Sequence, residues 1–180
     1  MGRTGGQPLA GGFRWESGQP AKLRAKCQPR DERTGDRRVF TGQFTHSIDA
    51  KGRVAIPARF RLSLEEGAVA VKWAENCVGL YPRSAYEQLA QKLASLPLSD
   101  EKGRRFIRFV FGNSFDVEVD AQGRILLALP LRNWAGLGGE AVMVGARDHV
   151  EIWSPARWGE LENNVESGDE FSALLAGLTV

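Results

Sequence analysis

Asp49-Ala50-Lys51-Gly52-Arg53 occurs in the chain a second time, as Asp120-Ala121-Gln122-Gly123-Arg124. Runs of alternating apolar and polar residues lead into each copy and short apolar runs follow it, which is typical of half-buried strands. Aspartate accepts hydrogen bonds from backbone N–H groups inside a turn, and glycine adopts the positive φ that a tight turn needs. Each copy therefore predicts a β-hairpin, with turns shaped by Asp49, Gly52, Asp120 and Gly123.

The arginine that ends each copy is not required by a turn. One interpretation is that Arg53 and Arg124 pair with Asp49 and Asp120 as turn-stabilising salt bridges. The other is that these cations contact a binding partner. The residue types leave both interpretations open, and the two roles can coexist.

The duplication extends well beyond the two loops. Some pairs of similar residues lie 71 positions apart: Asp49/Asp120, Gly52/Gly123, Arg53/Arg124 and Arg61/Arg132. Others lie 72 apart: Val78/Val150, Leu80/Ile152, Tyr81/Trp153, Tyr86/Trp158 and Leu89/Leu161. The repeated unit is a β-hairpin, a turn, a second β-hairpin and a helix. Neither half has enough strands to enclose a core, so we expect the halves to interleave in one pseudo-symmetric, mainly β domain of the α+β class.

The remaining elements are predicted from apolar periodicity and from capping residues. In the first half they are a helical turn at Pro57–Leu64, paired strands at Ala68–Trp73 and Val78–Tyr81, and a helix from Pro82. A helix capped at Ser99-Asp100-Glu101 runs to about Phe111. The second half repeats the series with Pro130–Trp134, strands at Ala141–Val144 and His149–Trp153, a helix from Ser154-Pro155 and a terminal helix at Asp169–Leu175.

The charge of the 180-residue chain is unevenly distributed. Residues 1–38 hold nine Lys and Arg against four Asp and Glu, whereas residues 39–180 hold fifteen against eighteen. The formal net charge of +2 therefore comes from the N-terminal segment. It is not an argument for nucleic-acid binding by the folded part, on which any basic surface must be local.

Several classes of protein are disfavoured. Two cysteines, Cys27 and Cys77, make no disulfide framework and suit a reduced, cytoplasmic protein. We find no secretory signal and no apolar run that approaches a membrane span. His46 and His149 are not spaced as a metal pair, and we find neither a catalytic set nor a phosphate-binding loop. We therefore expect no enzyme, cofactor or metal.

Two further groups of residues have plain structural interpretations. Arg104 and Arg108 share a face of the predicted third helix, for which a solvated or inter-subunit role is favoured over DNA contact. Trp134, Trp153 and Trp158 are expected to anchor the core or a subunit interface.

The string Phe40-x-Gly-x-Phe-x-His-Ser-Ile-Asp-Ala-Lys-Gly-Arg-Val-x-Ile-Pro-Ala-x-Phe-Arg61, with Val119-Asp-Ala-Gln-Gly-Arg-Ile125 and Glu151-Ile-Trp153, resembles the MraZ family. These are bacterial transcriptional regulators related to AbrB-type swapped-hairpin DNA-binding domains. The resemblance covers about residues 39–165. It implies a β-barrel-like domain of two SpoVT-AbrB-like repeats, which we place at 39–97 and 98–165, followed by a tail at 166–180.

The resemblance also implies a function. It predicts a ring-shaped homo-oligomer that binds short repeats in double-stranded DNA upstream of its own division and cell-wall operon. The protein would repress that operon from the nucleoid. The matching DNA-contacting residues would be Lys51, Arg53, Gln122 and Arg124, and the first loop should dominate because Gln122 replaces a lysine. The alternative is a swapped-hairpin scaffold or antitoxin-like part whose loops contact a protein.

Besides Gln122, a second departure from the family pattern follows the second loop. Ala128 stands opposite Pro57, with Pro130 two residues later, so we expect the backbone after the second loop to differ from that after the first.

Residues 1–38 are rich in Gly, Arg and Pro without periodicity, which favours disorder or a basic arm. Because family members begin Met-Phe-x-Gly, an equal hypothesis is that 1–38 are a mis-annotated extension upstream of a true start at Val39.

Overall fold

The computed structural model describes residues 39–97 and 99–167, together with residues 172, 176 and 177. The predictions for residues 1–38 lie outside these residues, as does the terminal helix at Asp169–Leu175 except for Ser172. The strands are β1 (Gln43–Ser47), β2 (Arg53–Ala55), β3 (Ala68–Lys72), β4 (Val78–Pro82), β5 (Ser114–Val117), β6 (Arg124–Leu126), β7 (Glu140–Gly145) and β8 (Val150–Trp153). The helices are α1 (Ala58–Arg61), α2 (Arg83–Ala94), α3 (Glu101–Gly112), α4 (Leu129–Ala135) and α5 (Pro155–Ser167).

The helix boundaries follow the capping residues that the sequence offers. Asp100 precedes α3, and its carboxylate accepts hydrogen bonds from the N–H groups of Lys102 and Gly103 at 3.1 and 3.0 Å. Pro82 and Pro155 stand at the starts of α2 and α5, and Gly136 ends α4 in the left-handed conformation with φ 64°. The predicted α+β class and these helix positions are confirmed.

The strand order shows how the two halves of the chain interleave. One antiparallel sheet has the order β1-β7-β8-β4-β3-β5, and β2 pairs with β6 in a separate two-stranded ribbon. The equivalent strands of the two halves are β1 and β5, β2 and β6, β3 and β7, and β4 and β8. Exchanging each strand for its equivalent reverses the strand order of the large sheet and leaves the β2-β6 pairing of the ribbon unchanged. A pseudo-twofold axis therefore passes through both sheets. It lies at the pairs Val54↔Ile125 and Gly79↔Glu151, whose members are repeat equivalents.

The predicted β-hairpins at the two loops are wrong beyond the turns themselves. Asp49 N–H donates to Arg53 O at 2.9 Å, and an isolated bridge joins Ile48 to Val54, so the turn is closed. Beyond it, however, β1 pairs with β7 and β2 with β6, while β5 pairs with β3. The arms separate because pairing across the halves buries apolar faces that a hairpin within one half would leave exposed.

The ribbon packs on the core through its inner face. Val54 and Ile125 are 0% and 1% exposed, and they belong to one cluster with Leu80, Met143 and Ile152 of the large sheet. In the described residues β1 and β5 form the two edges of that sheet, so it is open rather than a closed barrel. The interleaved packing holds the two loops at opposite ends of one buried-face ribbon.

The backbone after the two loops is more alike than the sequence suggests. Pro57 has φ −50° and ψ 134°, and its counterpart Ala128 has φ −56° and ψ 142°. The expected difference appears only afterwards, because α4 has seven residues whereas α1 has four and continues as a 3₁₀ turn at Leu62–Leu64. No helix within the described part of the chain combines the length and apolarity that crossing a bilayer requires.

Candidate nucleic-acid interface

The first loop is organised around the carboxylate of Asp49. Its Oδ1 accepts hydrogen bonds from the N–H groups of Lys51 and Arg53, both at 2.9 Å. Its Oδ2 accepts from Nε and Nη2 of Arg53, both at 2.7 Å. Gly52 closes the turn with φ 83° and donates its N–H to Asp49 O at 2.8 Å. The guanidinium and the backbone of Arg53 are thus both held by one side chain.

The second loop repeats this arrangement with one addition. Asp120 Oδ1 accepts from the N–H groups of Gln122 and Arg124 at 2.9 Å, and Oδ2 accepts from Arg124 Nε and Nη2 at 3.0 and 2.8 Å. Arg124 Nη2 also donates to Gln122 Oε1 at 3.0 Å. Gly123 has φ 75°. The second guanidinium is therefore held by two side chains of its own loop.

These bonds lower the pKa of both aspartates. For Asp49 the main cause is the backbone hydrogen bond from Arg53, followed among the lowering effects by the side-chain bond from the same residue. For Asp120 the main cause is the side-chain bond from Arg124, followed by its backbone bond. The turn-stabilising salt bridge considered for each arginine is therefore present in the structure. Both loops hold an ionised carboxylate at neutral pH.

Each loop is also clamped by an arginine from the opposite half. The guanidinium of Arg132 covers Gly52, where an added Cβ would lie 2.7 Å from its Cζ and Nε. Arg61 covers Gly123 in the same way. The two clamps are anchored on backbone carbonyls, Arg132 Nε on Leu127 O at 3.1 Å and Arg61 Nε on Ile56 O at 2.8 Å. Glycine is favoured at both turns because it adopts the positive φ without strain and leaves room for the covering guanidinium, which a Cβ would displace.

Arg61 and Arg132 are recognisable in the sequence as a repeated pair, but their position over the loops is not. The available signal was their spacing of 71 residues, the same as that of the loop arginines. A side chain that reaches into the other half of a duplicated chain leaves no further trace in local periodicity.

The two loop tips differ in the charge that they offer. The first has one acid and two bases, whereas the second has one acid and one base because Gln122 replaces the lysine. Lys51 is exposed, and its ammonium makes no hydrogen bond or ion pair with the described residues. The side chain of Arg53 is 33% exposed and that of Arg124 is 29%. The ribbon thus brings Lys51, Arg53, Gln122 and Arg124 together in two unequal clusters.

The other candidates take structural positions. Trp153 is 3% exposed, and Trp158 packs beside it with ring centroids 5.8 Å apart. Trp134 donates its indole N–H to Trp73 O at 3.2 Å. Arg105, which follows the candidate Arg104 on α3, pairs with Glu101 at the solvated surface. Across residues 39–97 and 99–167, no group of three His, Cys, Asp or Glu residues could hold a metal ion.

Comparison with known families identifies the duplicated unit. The family model described as "MraZ protein, putative antitoxin-like" matches the chain twice, over residues 39–109 and 110–175. The chain belongs to the MraZ family. The resemblance noted in the two Asp-x-x-Gly-Arg loops is thereby confirmed, and the two matched segments confirm that the family unit is duplicated in this chain.

Curated MraZ relatives match two thirds or more of this chain. The Transcriptional regulator MraZ of Roseiflexus castenholzii is 43% identical over 138 residues, which is 77% of this chain and 94% of the relative. That of Thermomicrobium roseum is 49% identical over 120 residues, covering 67% and 84%. That of Halothermothrix orenii is 38% identical over 143 residues, covering 79% and 100%. These names describe a family of transcriptional regulators and not of enzymes.

Proposed function

We propose that this MraZ protein regulates transcription by binding repeats in double-stranded DNA through its two loop tips, chiefly through Lys51 and Arg53. The observation that carries the proposal is the net positive first tip, with an exposed lysine and a partly exposed arginine on a hydrogen-bonded turn. An ammonium so placed binds phosphate oxygens. A guanidinium on a two-stranded ribbon can donate to guanine O6 and N7 in the major groove.

The salt bridge to Asp49 is compatible with this role. Nε and Nη2 of Arg53 are used by Asp49, and Nη1 makes no hydrogen bond within the described residues. Fixing a guanidinium in one orientation reduces the entropy that it loses when it contacts a base. The aspartate thereby orients the arginine, while Lys51 supplies the charge that the aspartate cancels.

Assembly of several subunits would compensate for the few cations on each one. Residues 39–180 hold three more acids than bases, so one subunit would bind DNA weakly. When a ring of subunits binds repeated sites, several weak contacts form together and the overall affinity for DNA becomes high. Three phenylalanines of α3 support a homo-oligomer, since they remain substantially exposed: Phe106 at 48%, Phe109 at 38% and Phe111 at 41%. Phe106 and Phe109 lie three residues apart and so share one face of α3, and exposed apolar patches of this kind are typical of protein interfaces.

We further propose that the target lies upstream of the protein's own operon for division and cell-wall synthesis, and that binding represses it. Such a protein works in the cytoplasm on the nucleoid. The test is a gel-shift titration with that upstream DNA and a scrambled duplex of equal composition, between 50 and 200 mM salt. Retention of the upstream DNA alone, with a steep loss of affinity as salt rises, supports the proposal. Equal retention of both duplexes would contradict it.

A protein-binding role, which the antitoxin-like description of the family suggests, is the second candidate. The exposed phenylalanines of α3 are the observation that favours it. A protein partner would bind without the steep salt dependence of phosphate contacts, and the upstream DNA would not be retained in the gel-shift titration.

A further inference from the structure

The outer face of the β2-β6 ribbon carries an apolar residue beside each arginine. Val54 and Ile125 point inward and are buried, so their neighbours on both strands point outward. The register pairs Arg53 with Leu126 and Ala55 with Arg124. Leu126 is 58% exposed and is the largest apolar side chain of this face.

The position of Leu126 separates it from other exposed leucines. A single exposed leucine is ordinary at a protein surface. This one lies directly across the ladder from Arg53, at a spacing of about 5 Å between Cβ atoms. It also departs from the repeat, because its counterpart 71 residues earlier is Ala55. Arg53 therefore has the larger apolar residue, Leu126, across the ladder and the additional lysine, Lys51, in its own loop.

A base pair in the major groove offers two features that match this pair of side chains. Guanine presents O6 and N7 to a guanidinium, and thymine presents its C5 methyl group to an apolar side chain. Successive bases on one strand lie about 3.4 Å apart, so two side chains whose Cβ atoms are about 5 Å apart can reach neighbouring bases. The positive charge of Lys51 and Arg53 favours DNA over an apolar partner on this face.

We propose that Leu126 is a specificity-determining residue that contacts the C5 methyl group of a thymine next to the base bound by Arg53. Ala55 lies beside Arg124 and makes the smaller equivalent contact. The inference rests on the proposed function, because it requires the ribbon to enter the major groove. It adds a preference for thymine that the polar loop residues do not supply.

The test replaces thymidine by deoxyuridine in the upstream DNA, at one position of the repeat at a time. Uracil pairs as thymine does and lacks only the methyl group. For the wild-type protein, one such replacement should weaken binding by about fourfold for each repeat contacted, the value of one buried methyl group. Leu126→Ala should weaken binding to the thymine DNA to a similar extent and remove the sensitivity to uracil at that position.

Leu129→Ala is the matched control, because Leu129 is 57% exposed but lies on α4 rather than on the ribbon. It should keep the wild-type sensitivity to uracil. Wild-type binding that is unchanged by uracil at every position would overturn the inference alone. So would a Leu126→Ala protein that keeps the sensitivity, or whose oligomer dissociates in native mass spectrometry, since Leu126 would then contact another subunit. Absence of specific DNA binding by the wild-type protein would overturn the proposed function as well.

Discussion

Replacing Gly52 by alanine tests whether the two halves of the chain are locked together at the loops. Gly52 has φ 83°, which costs a residue with a Cβ about 1–2 kcal/mol. The new Cβ would lie 2.7 Å from the guanidinium of Arg132, which must move and lose its 3.1 Å bond to Leu127 O, at about 1 kcal/mol. The lower entropy of alanine in the unfolded chain offsets about 0.4–1 kcal/mol. We expect a net loss of about 2 kcal/mol in the free energy of unfolding.

The assay is urea denaturation at one fixed protomer concentration, because oligomerisation would make stability depend on concentration. Gly138→Ala is the control: no heavy atom lies within 4 Å of its added Cβ and its φ is not positive. It should leave stability within about 0.5 kcal/mol of wild type or raise it slightly. In an Arg132→Ala background the cost of Gly52→Ala should fall by about 1 kcal/mol. An equal cost in both backgrounds would refute the clamp.

Three further predictions concern the loops, the ribbon and the α3 face. Because the pKa values of Asp49 and Asp120 are lowered, their ionised carboxylates stabilise the fold above about pH 4, and this stabilisation is lost as the pH falls through the folded-state pKa values. Replacing both residues by Asn should therefore make the free energy of unfolding, measured by urea denaturation between pH 6 and 2, less dependent on pH. Ile125→Ala should cost about 2–5 kcal/mol in the same assay at neutral pH, whereas Leu126→Ala, on the exposed face, should cost under about 0.5 kcal/mol. Phe106→Glu should reduce the number of subunits found by native mass spectrometry, and an unchanged assembly would exclude this face as the interface.

Local sequence predicts most elements of this fold because local chemistry determines them. The cap at Asp100, the proline at the start of α2 and the Asp-Gly turns each depend on residues within one turn of chain. The choice of partner strand does not. β2 has three residues, and nothing in its own pattern distinguishes β1 from β6 as a partner. That choice follows from where the apolar face of Val54 is buried, which depends on the whole core.

In the candidate site, too, some features are predicted by local sequence and others depend on the whole fold. The loop cations and the difference between Lys51 and Gln122 can be read from the repeated motif. The clamps by Arg61 and Arg132 and the exposure of Leu126 require the interleaved pairing of β2 with β6, since each concerns residues 62 to 80 positions apart. The duplication indicates which residues correspond, but only the three-dimensional structure shows which ones touch.

We claim that the first loop dominates DNA binding, and the affinities of single arginine variants for the upstream DNA test this. Arg53→Ala should lower affinity most, Arg124→Ala less, and the oligomer should remain intact in each. Arg83→Ala is the matched control, since it removes the same charge and an exposed salt bridge, to Asp116, away from the loops. It should bind as wild type does. An Arg53→Ala protein that binds the upstream DNA with wild-type affinity and salt dependence would contradict the claim.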